Sequence, residues 1–146
     1  MKLMILLNLM LLILMVATSA SAQGDRSYAV DKLRLEDRKW ILESVKGASI
    51  PKVGQEAFIV FEPVKGSAGG DTSCNSYGAN YKANGDKISI TQIISSMRAC
   101  IEDERMNIER EFLDGLRNAD RFEIKADELM LYRHRKLLLT FAGRKK

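Results

Sequence analysis

The sequence predicts an α+β fold: about seven antiparallel strands forming one small sheet, with a single main helix over about residues 102–118. Three observations predict it. Asn84-Gly85 separates two alternating segments, 79–83 and 87–91, and an Asn-Gly pair accepts the positive φ angles of a tight type I′ hairpin turn. Ile108, Phe112, Leu116 and Ala119 recur at helical spacing, with Leu113 widening the apolar face. Residues 121–141 then alternate apolar and polar positions through two polar turns, which is the pattern of a strand meander.

The chain opens on a targeting signal. Lys2 precedes an apolar run, Leu3–Val16, interrupted only by Asn8, and Ala20-Ser21-Ala22 gives the small-x-small pattern that signal peptidase reads. Residues 1–22 are therefore expected to be a signal peptide, cleaved before Gln23. The run is short for a bilayer span, which takes about 20 apolar residues. No cysteine follows it, so the lipid-attachment residue of a bacterial lipoprotein is missing, and no transmembrane helix is expected after cleavage. Residues 23–34 read as a polar lead.

Trp40-Ile41-Leu42 begins the strands, with Trp40 and Leu42 on one face and Trp40 expected in the core. Residues 47–55 hold Pro51 and Gly54 and read as a loop or irregular hairpin. Residues 57–61 form a short apolar run rich in β-formers, expected to be a buried strand ended by Pro63. Gly66-Ser67-Ala68-Gly69-Gly70 is expected to be a mobile loop. It lacks the Gly-Lys-Ser/Thr of a phosphate-binding loop and the spacing of a dinucleotide fingerprint. Tyr77, Ala79 and Tyr81 alternate on the outgoing hairpin strand, and Ile88 and Ile90 on the return strand. Glu102, Asp103 and Glu104 place negative charge in the first helical turn, where it complements the helix dipole. Gly115 weakens the helix interior but suits close approach to a sheet. Phe122 and Ile124, then Leu129–Tyr132, then Leu137, Leu139 and Phe141 supply the last three strands. Arg133-His134-Arg135-Lys136 forms the turn between the final two, a candidate basic contact surface, and residues 143–146 form a basic tail.

Removing residues 1–22 from 146 leaves 124, enough for one domain with its own core. The full chain has 23 Lys+Arg against 19 Asp+Glu, a net +4 that becomes +3 without Lys2. A charge this small speaks to solubility and gives no footprint for nucleic acid. In an oxidising compartment two cysteines more often pair than stay free, so Cys74 and Cys100 are expected to form a disulfide. The competing reading is a reactive thiol, which needs a nearby base or cations; the only histidine, His134, lies far along the chain. With no His/Cys cluster and no nucleophile elbow, no catalytic residue, metal or cofactor is expected.

The order of these pieces resembles the META domain family, which includes the heat-shock protein HslJ. The matching residues are Leu35 with Trp40-Ile41-Leu42; Cys74-Asn75-Ser76-Tyr77-Gly78 and Tyr81; Met97-Arg98-Ala99-Cys100; Glu109 with Phe112-Leu113 and Leu116; and Leu129-Met130-Leu131. The resemblance covers about residues 35–142. Ser73 stands where the family often has Gly, and Ser95-Ser96 stand near the place of a common Thr. The resemblance implies a strongly curved, barrel-like antiparallel sheet around one helix. It also implies association with stress, novobiocin tolerance or virulence, and it supplies no catalytic residues. Together these readings predict a non-enzymatic envelope protein, periplasmic or alternatively secreted, monomeric, and engaging a protein or small ligand that the sequence does not identify. The alternatives are a secreted hydrolase inhibitor that uses the basic turn and, more remotely, a thiol-redox enzyme.

Overall fold

A computed structural model describes residues 33–52, 55–98 and 100–146. The expected signal peptide and nearly all of the 23–34 lead lie outside these residues. The described residues belong to a single unit, Lys32–Lys146.

Nine antiparallel strands and one helix make up this unit. They are β1 (Lys39–Val45), β2 (Ala48–Ser49), β3 (Phe58–Glu62), β4 (Ser67–Asp71), β5 (Ser76–Asn84), β6 (Lys87–Ser95), α1 (Asp103–Asn118), β7 (Arg121–Lys125), β8 (Glu128–Arg133) and β9 (Lys136–Arg144). Each strand from β3 to β9 pairs with the next, and β1 pairs with both β3 and β9, so the sheet closes into a ring. Strand β2 is a short flap on the end of β1. The ring is not a clean barrel. Between β6 and β7 a single residue pair, Lys87 with Arg121, holds it together, flanked by Ile88 N–H to Asp120 O and Phe122 N–H to Asp86 O.

Helix α1 enters the chain at that thin seam. Its buried face, Ile108, Phe112, Gly115 and Leu116, meets β1, β6, β8 and β9. A Cβ on Gly115 would lie 2.7–2.8 Å from three side-chain carbons of Leu139, so the bare backbone there sets the distance between helix and sheet. Trp40, Ile59, Phe61, Phe112, Leu116, Leu129, Leu131, Leu139 and Phe141 are fully buried and form the centre of the core. Phe112 makes edge contacts with Tyr77 and Phe141, and Phe61 with Tyr81. Trp40 also donates its indole N–H to Leu35 O at 2.7 Å, which ties a short 3-10 turn, Leu35–Asp37, over the end of the core.

Several expectations need correction. The strands number nine because two were unread. Residues 67–71 are β4, a central strand, not a mobile loop. A Cβ on Gly69 would meet Tyr77 O at 2.8 Å, and one on Gly70 would meet Phe58 O at 2.2 Å. The glycines are there because the neighbouring backbones crowd the sites where side chains would stand. Strand β2 was hidden because its turn, Lys46-Gly47, takes positive φ at both residues without the usual Asn-Gly. The β5–β6 hairpin is where Asn84-Gly85 placed it, but Asn84 is still in the strand, opposite Lys87. The turn residues are Gly85-Asp86 and only Gly85 has positive φ, the pattern of type II′ and not I′. In β9, Leu138 is buried beside Leu139 because a register shift opposite Leu131/Tyr132 interrupts the alternation. Residues 143–146 are no free tail. Gly143 and Arg144 pair with β1, Arg144 forks onto the Glu56 carboxylate at 2.8–2.9 Å, and Lys146 reaches Phe61 O and Glu62.

Candidate functional site

Four of the residues the sequence singled out, Cys74, Asn75, Cys100 and Glu109, meet at the turn between β4 and β5. Thr72 is fully buried and organises that turn. Its Oγ1 accepts from Asn75 N–H at 2.8 Å and Cys74 N–H at 3.3 Å while donating to Asn75 O at 3.0 Å. This is the side-chain capping that Ser and Thr supply in turns. Ser73, next in line, has φ +77. That left-handed conformation costs a residue with a Cβ on the order of 1–2 kcal/mol. Here the turn is held from both sides. Asp71 accepts Ser73 N–H at 2.8 Å, and the Arg105 guanidinium donates to Ser73 O.

Cys74 and Cys100 are joined, with Cα atoms 6.0 Å apart. The bond fastens the turn to the segment that leads into α1. Beside it, Asn75 is buried and uses both ends of its amide. Oδ1 accepts from Ser96 Oγ and Arg98 N–H, each at 2.9 Å. Nδ2 donates to Arg98 O at 3.1 Å and to the Glu109 carboxylate at 2.9 Å, and lies 3.4 Å from Cys74 Sγ. One side chain thus ties β5, the 96–98 segment and α1 together. In the sequence Asn75 stands out only as part of the motif that begins at Cys74. Its role as a hub depends on three segments distant in sequence.

Tyr77 donates its hydroxyl to Phe58 O at 3.1 Å and Tyr81 donates to Glu36 at 2.7 Å. Burial pushes both phenols well above the usual tyrosine range, reinforced by Asp71 near Tyr77 and by the Glu36 bond at Tyr81. Gly78 lies in β5 between Gly69 and Ile94. Trp40, Phe112 and Leu116 are core residues, whereas Met97 is almost fully exposed. The basic turn is elsewhere. His134 binds Asp120 through both backbone N–H and Nδ1, and Arg133 reaches Asn118 Oδ1 at 3.0 Å, so half of that turn is engaged at the end of α1. Arg135 and Lys136 are exposed. Thr72 and Arg105 were missed by sequence reasoning, and Ser96 was noted only as standing near the place of a common Thr; the run Asp71-Thr72-Ser73 was the available signal for Thr72.

Among the described residues no cluster of His, Cys, Asp and Glu is arranged to hold a metal ion. No described helix is long and apolar enough to cross a membrane. What the geometry defines is a curved antiparallel sheet around one helix, with a disulfide and an asparagine hub where they meet. The chain belongs to the META domain family, whose profile matches residues 33–146. Similar folds occur in a protein from Burkholderia xenovorans solved by NMR (22% identity, TM-score 0.64, 77% of this chain and 85% of that one) and in a second NMR structure (18%, 0.60, 74% and 90%). A DUF4847 family protein from Bacteroides vulgatus, solved by crystallography, is similar at 15% identity and TM-score 0.56, over 77% of this chain and 96% of that one. No curated protein matches the chain.

Proposed function

We propose that this META domain protein is exported to the bacterial envelope, periplasmic or alternatively secreted, and works there by binding or stabilising a partner under stress or antibiotic challenge, without catalysing a reaction. The observation that carries the reading is the Cys74–Cys100 pair at bonding geometry beside a buried turn. Such bonds persist in oxidising compartments and are rare in reducing ones. The signal-like N-terminus and the family membership point the same way. The buried Cys74 and the dense hydrogen bonding of its neighbours suit a staple better than a reactive thiol. A hydrolase inhibitor acting through residues 133–136 draws less support, since Arg133 and His134 are already engaged.

The test is cell fractionation joined to intact-mass alkylation, with a deletion strain grown under heat and antibiotic stress. The reading expects a chain beginning at Gln23 in the envelope fraction, thiols that open only with reductant, and a stress-sensitive deletion. Retention in the cytoplasm with free thiols, or a deletion indifferent to every stress, would remove it.

A further inference from the structure

Five large apolar side chains are notably exposed among the described residues, and four of them fall within residues 94–106: Met97 and Ile101 at 98%, Ile94 at 76% and Met106 at 39%. The backbone that carries them is not loose. Asn75 grips Arg98 at both N–H and C=O and takes the Ser96 hydroxyl, Ser96 N–H donates to Ser76 O, and the disulfide fixes Cys100. A rigid frame that holds apolar side chains in water has the character of a preorganised binding surface, because little ordering entropy remains to oppose binding.

We propose that Ile94, Met97, Ile101 and Met106 form a docking surface for a short polypeptide segment whose apolar side chains are interspersed with Lys or Arg. This rests on the partner-binding reading above and names its surface. Two arguments select the occupant. The first is area. An apolar side chain of this kind carries roughly 60–120 Å² of buriable apolar surface; weighted by exposure, the four offer on the order of 200–400 Å². That is below the roughly 450 Å² of apolar surface within the roughly 800 Å² that each partner gives a standard interface between folded proteins, and suits a segment better than a second copy of the chain. The second is charge. Glu102, Asp103 and Glu104 follow Ile101 directly, against Arg98 and Arg105; Arg105 and Glu102 pair with each other, which leaves Asp103 and Glu104 against Arg98. The local excess is negative in a chain whose net charge is positive, which favours a basic segment and disfavours an anionic lipid surface.

The experiment measures fluorescence anisotropy of two labelled peptides on the mature protein, one alternating Leu with Lys and one alternating Leu with Glu. The Leu–Lys peptide is expected to bind and the Leu–Glu peptide not to. Added salt should weaken binding. Met97→Ser with Ile101→Ser should weaken it at least about tenfold with the thermal midpoint unchanged, since both side chains are already in water. Asp103→Lys with Glu104→Lys should invert the peptide preference. Equal binding of both peptides, binding indifferent to these substitutions, or no binding at all would overturn the proposal. So would a dimer in sedimentation that dissociates on Met97→Ser with Ile101→Ser, or binding of phosphatidylglycerol vesicles in place of the peptide. If the deletion strain is stress-sensitive while the peptide fails, only the surface assignment falls.

Discussion

Replacing Asn75 by Ala removes the amide that joins β5, residues 96–98 and α1. The lost contacts are two hydrogen bonds into Oδ1, one from Nδ2 to Arg98 O, and one to the Glu109 carboxylate. A neutral bond contributes about 0.5–1.5 kcal/mol net and one to a charged group about 1.5–3. The sum overstates the loss, because Arg98 is exposed and Glu109 half-buried, so water can replace part of what is removed. The expected destabilisation is about 3 kcal/mol, or a fall in Tm of roughly 12 °C for a domain of this size. The assay is urea unfolding followed by Trp40 fluorescence, with the disulfide intact. Asn75→Asp sharpens the test. It keeps the acceptor for Arg98 N–H and Ser96 but sets a second carboxylate against Glu109. That repulsion relaxes when either acid is protonated, so the Asp variant should lose more stability at neutral pH than in mild acid. A loss under about 1 kcal/mol for Ala, or an Asp variant with the pH dependence of the parent, would refute the hub.

Three other outcomes follow from the same structure. Cys74→Ala with Cys100→Ala opens a loop of sequence separation 26 and should cost about 3.5 kcal/mol in denaturant unfolding; an unchanged midpoint would mean the bond adds nothing to the fold. Gly70→Ala drives a Cβ against Phe58 O and should destabilise by more than about 3 kcal/mol, whereas Gly78→Ala, in open space, should be tolerated in the same melts. Burial raises the Tyr77 and Tyr81 phenols in the folded state, so the unfolded chain loses those protons first. Stability should be level below the ordinary tyrosine value of 10.0 and fall as pH rises above it. An alkaline absorbance titration should accordingly show these two tyrosines ionising only with unfolding; two ordinary titrations in the folded protein would contradict their placement.

Much of this fold was legible because its signals are local. The alternation of Tyr77, Ala79 and Tyr81 and the spacing of Ile108, Phe112 and Leu116 each report which face of one element meets the core, and the structure buries those side chains. Strand β4 was illegible for the opposite reason. Ser67-Ala68-Gly69-Gly70 carries no β-forming side chains, and what makes it a strand is the close approach of Phe58 and Tyr77 from either side. Local propensity cannot report a neighbour that folding brings. The same limit applies at the site. The cysteines were visible as a pair. Asn75 was visible only as a motif residue, because its partners Ser96, Arg98 and Glu109 lie 21 to 34 positions away. Met97 belonged to the matched motif, yet nothing in its spacing said that its side chain would face water. A residue in that motif, held on an anchored backbone and left exposed, is hard to explain by the core, and that exposure is what motivates the docking surface proposed above.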